Sequence, residues 1–284
     1  MSESFRPRRS VLYMPGANER ALEKAKTLPA DALILDLEDA VAPDAKPAAR
    51  ERVCAAATSG AYGRREVTIR VNGIDTPWHA DDLAAAGEAG PAAVVVPKVG
   101  SADEVRAIAA ALPEPVEIWA MIETPAAVLR CAEIAAASER LSVLVLGTND
   151  LAKEMLAELV PGRGPLLGPL STCVLAARAT GKVILDGVYN DVRDTEGFER
   201  ECRQGKEFGF DGKTLIHPGQ LEPCNRVFAP SAEDVERSRK IIDAFEAARR
   251  EGRGVVTVDG RMIENLHVDN ARRILDLAAA VGEN

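Results

Sequence analysis

Four apolar runs in this chain close on carboxylates. ALILDLEDA ends in Glu38 and Asp39, EIWAMIE in Glu123, SVLVLGTND in Asp150, and VILD in Asp186. Burying such charges without partners is costly. Carboxylates brought to one place by several strands need a countercharge, and a hard divalent cation suits them. Mg2+ takes one or two carboxylates and completes its shell with water and substrate oxygens. Glu123 and Asp150 each close an apolar run that precedes a helical pattern, so they are the expected metal ligands, with Mn2+ as a substitute ion. Glu38 and Asp39 are placed to hold the metal's water molecules. The alternative is a structural ion network in which Glu38 or Asp39 pairs with Arg70 or Lys98. Zn2+ is disfavoured, because its usual Cys and His ligands are absent from these run ends apart from His217.

Arg70 ends the run VTIR and suits a two-pronged hold on a substrate carboxylate or oxo group; it too could simply pair with Glu38. The GTND turn, Gly147 to Asp150, can offer backbone N–H groups to an oxyanion or serve as a plain strand-to-helix turn. His79 and His217 each stand close to a proline, and read first as hydrogen-bonded structural residues.

These residues need a frame. Eight short apolar runs start at Val11, Ala32, Val67, Ala93, Glu117, Ser142, Val183 and Lys213. Helical patterns lie between them, several opened by capping residues: Ser101, Thr124 before Pro125, and Asp194. Near-continuous apolar strands alternating with helices imply a parallel sheet covered by helices. Eight units within about 220 residues predict an α/β fold, a closed (β/α)8 TIM barrel. In such a barrel the strand C-termini share one rim, and the polar residues above collect there. No G-x-G-x-x-G follows the first strand to support an open dinucleotide-binding sheet. The expected barrel domain is 1–250. The remainder, 251–284, is a C-terminal extension with a β-like stretch, a turn at Asp259-Gly260 and a final helix.

The chain has 284 residues and a net charge of −9, which disfavours a broad nucleic-acid-binding face. No apolar run reaches membrane-spanning length, and no secretory signal is apparent. Aromatics are only 4%, so the core must be aliphatic. The five cysteines are widely spaced with no C-x-x-C pair, as expected of free thiols in a reducing cytoplasm.

RSVLYMPGANERALEKA, DALILDLEDAVAPDAKPAAR, IRVNGIDTPW, VVVPKV, MIETPAAV, LVLGTNDLA and FGFDGKTLIHPGQ occur in unbroken order. Together they resemble the citrate lyase β-subunit-like branch of the HpcH/HpaI aldolase superfamily. That branch includes malyl-CoA and citramalyl-CoA lyases and (3S)-malyl-CoA thioesterases. The resemblance implies a Mg2+-dependent barrel enzyme in a homotrimer or homohexamer, with Glu123 and Asp150 on the metal, Glu38 and Asp39 behind it, and Arg70 on the oxo-acid part of the substrate. It also implies a CoA thioester near the first strand and helix, where Tyr13, Arg20 and Lys24 match contact positions and Arg9 is a further cation. Lyases of this group carry an Asp in a Met-Ile-Asp motif that reaches a neighbouring subunit as acid/base. Here the stretch is MIENLHV, with Glu264 in that place. The extension is accordingly expected to pack on a neighbouring subunit.

Three reactions follow from the resemblance. The first is cleavage of a malyl-CoA-like β-hydroxyacyl-CoA to acetyl-CoA (or propionyl-CoA) and a glyoxylate-like oxo acid. The second is hydrolysis of (3S)-malyl-CoA to malate and CoA, towards which the Glu264 departure tilts the balance. The third is the action of a citrate lyase β subunit on a citryl group borne by a carrier protein.

Overall fold

The computed structural model describes residues 5–250 and 256–282. Two compact units divide the chain at Arg226. The first, Arg8–Asn225, is a closed barrel of eight parallel strands: β1 (Ser10–Pro15), β2 (Ala32–Asp36), β3 (Glu66–Arg70), β4 (Ala93–Val96), β5 (Glu117–Ile122), β6 (Leu141–Leu146), β7 (Val183–Asp186) and β8 (Gly212–Leu215). All eight apolar runs are strands, and β1 pairs with β8 to close the ring. The connecting helices are α1 (Glu19–Ala25), α2 (Lys46–Thr58), α3 (His79–Ala89), α4 (Ala102–Ala111), α5 (Pro125–Leu129), α6 (Cys131–Ala135), α7 (Thr148–Glu154), α8 (Leu167–Ala179) and α9 (Thr195–Phe208). The expected caps form: the side chains of Ser101, Thr124 and Asp194 accept the N–H groups of Glu104, Ala127 and Gly197.

Strand side chains alternate between the barrel interior and the helix layer. Val11, Ala32, Ile34, Val95, Trp119, Met121, Val143, Val145 and Leu185 fill the interior, with Tyr13 packed against them. The next inward positions towards the strand C-termini are then Asp36, Glu123 and Gly147. This two-residue phase carries polar groups onto the rim above an apolar cluster in the barrel's middle.

Beyond α10 (Leu221–Phe228) the second unit holds α11 (Ala232–Arg250), the strands β9 (Val256–Val258) and β10 (Arg261–Ile263), and α12 (Asn265–Gly282). β9 and β10 form an antiparallel hairpin turning at Asp259 and Gly260, both at positive φ. Two such residues are what a two-residue hairpin turn requires. The helix α11, read from sequence as part of the barrel domain, packs along α12, so this unit starts earlier than residue 251. Among the described residues no helix is long and apolar enough to cross a membrane.

Candidate active site

A cavity of about 360 Å3 opens at the C-terminal end of the barrel, with Tyr13, Asp36, Arg70, Met121, Glu123 and Asp150 in its wall. Arg70, the last residue of β3, is 7% exposed. Its Nε and Nη2 donate to the two oxygens of Asp36 at 2.6 and 2.8 Å. Its Nη1 lies 2.7 Å from Glu38 and 3.7 Å from Asp39. The Tyr13 ring stacks 4.8 Å from the guanidinium. Burial opposes the charge on Arg70, but Asp36, with smaller help from Tyr13 and Glu38, outweighs it and holds the group firmly protonated.

Glu123 follows β5 and is 2% exposed. One carboxylate oxygen accepts the N–H of Lys98 at 2.7 Å. Lys98 has φ 54, a left-handed conformation that costs an L-residue roughly 1–2 kcal/mol and here aims its amide at Glu123. Gly147, after β6, leaves the space that Glu123 needs, because a Cβ there would overlap the carboxylate. Burial pushes the Glu123 carboxyl up to about 8, and Glu38 and Asp150 add repulsion that the Lys98 amide and Arg70 only partly offset. Burial likewise pushes Glu38 up to about 7, against the pull of Arg70. The Lys98 ammonium, held charged chiefly by Glu38 against burial, stands 3.8 Å from it.

Around this cavity the carboxylates outnumber the cations. Among the described residues no three His, Cys, Asp or Glu side chains are gathered to hold an ion by themselves. Glu123 and Asp150 line one open cavity, and Glu123 is pressed by like charge. Two carboxylates beside open space fit an ion that keeps water and takes substrate oxygens, which is the habit of Mg2+.

The sequence matches the family model described as HpcH/HpaI aldolase/citrate lyase over residues 9–218. The chain belongs to the HpcH/HpaI aldolase/citrate lyase family. A second model, a C–C bond lyase of the TIM-barrel fold, matches residues 169–282. The chain is 50% identical over 281 residues to a (3S)-malyl-CoA thioesterase of Cereibacter sphaeroides, covering 99% of this chain and 98% of that one. It is 37% identical over 287 residues to the citrate lyase subunit beta of Escherichia coli, covering 98% and 95%. Among solved structures it resembles the protein CitE of Mycobacterium tuberculosis in complex with magnesium, acetoacetate and coenzyme A. That likeness has a TM-score of 0.78 and 30% identity over 95% of this chain and 97% of the other.

In this member of the HpcH/HpaI family the barrel brings Tyr13, Glu38, Asp39, Arg70, Glu123 and Asp150 together. Asp150 stands in the first turn of α7 rather than at the strand end itself. Asp186, grouped with the rim carboxylates by sequence, belongs elsewhere. It faces outward and is sealed against Arg163 and Lys213, because it is one residue out of phase with the inward positions of β7. Arg20 and Lys24 lie on the exposed side of α1. Arg9 precedes β1 and so sits at the opposite end of the barrel, where Asp31 grips it through two bonds of 2.8 and 2.9 Å. His217 caps a short turn by accepting the Gly219 N–H, and the His79 ring bonds the Asn72 carbonyl, so both have structural roles. Gly147 N–H donates to the Ile122 carbonyl, so the GTND turn spends its first amide on the barrel. Glu264 is exposed in the second unit, directly before α12.

Two contributors, Lys46 and Asp36, are not among the residues expected from the sequence, and only the second has a sequence signal. Lys46 sends its ammonium to the carbonyls of Leu37 and Glu38 and to Asn72 Oδ1, at 2.9, 3.0 and 2.6 Å. It clamps the turn that carries Glu38, and Asn72 supports that clamp rather than facing substrate. Asp36 was visible as a third carboxylate in its run, and its inward phase with Ala32 and Ile34 is the signal that singles it out.

Proposed function

We propose that the chain is a Mg2+-dependent hydrolase of a (3S)-malyl-CoA-like thioester, giving malate and free CoA. The observation that carries the reading is the pairing, in one cavity, of Arg70 with the under-compensated carboxylates Glu123 and Asp150. The 50% identity to a (3S)-malyl-CoA thioesterase across nearly the whole chain supports hydrolysis over the carbon–carbon cleavage otherwise first suggested by the resemblance.

Glu123 and Asp150 hold the ion, which when bound supplies Lewis-acid polarisation of substrate oxygens. Glu38 and Asp39 would orient water beside it. Arg70 holds the terminal carboxylate of the acyl group through N–H groups that Asp36 leaves free. Tyr13, Arg20 and Lys24 flank the CoA portion. Water adds to the thioester carbon, the C–S bond breaks, and the water's proton ends on the departing thiolate. Glu264 accepts and returns that proton, delivered by a neighbouring subunit of a homotrimer or homohexamer.

A second reading is lyase chemistry on the same bound substrate, favoured by the C–C bond lyase match over 169–282. There the β-hydroxyl loses its proton, the C–C bond breaks, glyoxylate leaves and the enolate of acetyl-CoA is protonated. The citrate lyase β-subunit reading requires a carrier-bound substrate. An assay with (3S)-malyl-CoA and Mg2+, following thiol and glyoxylate in parallel, separates these. Thiol without glyoxylate is the expected result. Glyoxylate without thiol selects the lyase, and neither product from the free CoA thioester overturns both. Mixing inactive E123Q and E264A proteins tests the subunit arrangement: activity returns only if one chain's Glu264 serves another chain's barrel.

A further inference from the structure

We infer that Asp36 is a positioning residue that sets Arg70 and the turn bearing Glu38 and Asp39 as one unit; this rests on reading the cavity as the site of a carboxylate-bearing acyl group. Asp36 ends β2 and is 1% exposed. One oxygen accepts Arg70 Nε at 2.6 Å and the Glu38 N–H at 2.9 Å. The other accepts Arg70 Nη2 at 2.8 Å and the Ala40 N–H at 3.2 Å. Four donors use the acceptor capacity of one carboxylate. Arg70 and the backbone on either side of Asp39 thus hang from the same two atoms.

The geometry dictates how Arg70 meets a ligand. Its Nε–Nη2 edge is closed by Asp36. A carboxylate entering the cavity meets the Nη1–Nη2 edge, where Glu38 now holds Nη1 at 2.7 Å. Tyr13 stacks on the guanidinium and Met121 Sδ lies 4.0 Å from Nη1, and rotating Arg70 would break both Asp36 bonds. A planar fork that cannot turn selects a planar anion in one orientation. The Glu38 backbone is held from both sides, its N–H by Asp36 and its carbonyl by Lys46. Glu38 can therefore yield Nη1 by a side-chain movement while its anchor stays in place. Neither Asp36 nor this arrangement requires contact between Asp36 and the reacting atoms. Its effect passes through Arg70.

The test is a double-variant cycle on the full chain with D36N, R70K and the double variant, reading glyoxylate dissociation constants by calorimetry in saturating Mg2+. Circular dichroism and thermal midpoints establish folding. D36N and R70K are each expected to weaken glyoxylate roughly tenfold to a hundredfold, the range seen when a supporting partner of a site residue is lost. The double variant is expected to bind no more weakly than R70K alone, since Asp36 acts through the arginine. Losses that multiply in the double variant, or D36N binding as wild type does, overturn the inference and leave the proposed function standing. A folded, Mg2+-loaded wild type that binds neither glyoxylate nor malate overturns both. If D36N does not fold, D36S takes its place, because its hydroxyl can still accept the Glu38 N–H while releasing one edge of Arg70. The same cycle then decides.

Discussion

Two buried ion clusters sit near the same end of this barrel, and they are built to opposite specifications. On the outward side of β7 and β8, Lys213 Nζ lies 3.0 Å from Asp186 and 2.7 Å from Glu201, and Arg163 Nη1 reaches both oxygens of Asp186 at 2.7 and 2.8 Å. Its two cations match its two carboxylates, and Asp186 and Glu201 hold Lys213 charged against complete burial. The inward cluster sets Asp36, Glu38, Asp39, Glu123 and Asp150 around Arg70 and Lys98. Two of its carboxyls are pushed far above their ordinary range. The outward cluster is charge-matched and joins barrel to helix. The inward one is left in electrostatic debt beside an open cavity, the condition that marks a site for a cation or substrate.

Four changes test the contrast between the two clusters. The largest effect is expected from K213M, which leaves the two carboxylates Asp186 and Glu201 with Arg163 as the one remaining cation of the cluster. Denaturant unfolding should show a loss of about 3–5 kcal/mol, as for other broken buried pairs. A smaller loss would mean that the outward cluster is not what joins β8 to α9.

E123Q should do the reverse. It removes a repelled carboxylate, so the thermal midpoint of the metal-free protein should hold or rise. Turnover should fall roughly 10²–10³-fold, the usual cost of losing an electrostatic contributor at a reacting centre. Mg2+ binding by calorimetry should be lost with it. A stable, active, metal-independent E123Q would place the metal elsewhere.

G147A comes next. The new Cβ must displace the Glu123 carboxylate, which should cost about 1–3 kcal/mol by overpacking and lower Mg2+ affinity together. Loss of stability without loss of Mg2+ binding would separate Gly147 from the site.

The smallest effect is a pH dependence. Glu38 and Glu123 are raised from 4.5 to about 7 and about 8, so the native state binds their protons more tightly than the unfolded chain. Their contribution to stability is therefore full below the unfolded value and is lost as pH rises through the folded values. In metal-free protein the thermal midpoint should fall between about pH 4.5 and 8 relative to an E38Q/E123Q variant. Mg2+ favours the ionised forms and should flatten that difference. A difference of opposite slope would show that the rim is already compensated.

How much of this was readable from residues alone follows from periodicity. Most of the apolar runs were legible as strands because they are nearly continuous in Val, Ile, Leu and Ala, and such runs are buried on both faces; EVTIR and GKTL, of β3 and β8, are the more polar exceptions. The caps at Ser101, Thr124 and Asp194 were legible because capping depends on residues three apart in sequence. Glu38, Arg70 and Glu123 were legible as rim residues because a barrel gathers its strand ends. Asp186 was misplaced because VILD carries no marker of which face its aspartate takes. That face is set by the register of β7 between β6 and β8, and by Lys213 and Arg163 waiting on the outer side.

Local spacing along the chain was enough to give the number and order of the barrel strands, the helix starts at Ser101, Thr124 and Asp194, and the set of polar residues available to the rim. The tertiary structure alone decided which carboxylates are compensated. Asp36 and Asp186 are both strand-terminal aspartates in apolar runs. One turns inward to hold Arg70 beside a cavity, and the other turns outward into a neutral network. A step of one residue along a strand reverses the side chain's face, so the distinction lies in strand pairing and in partners far away in sequence. Likewise the amide of Lys98 and the ammonium of Lys46 became part of the site only when β5 and the turn after β2 were folded against them.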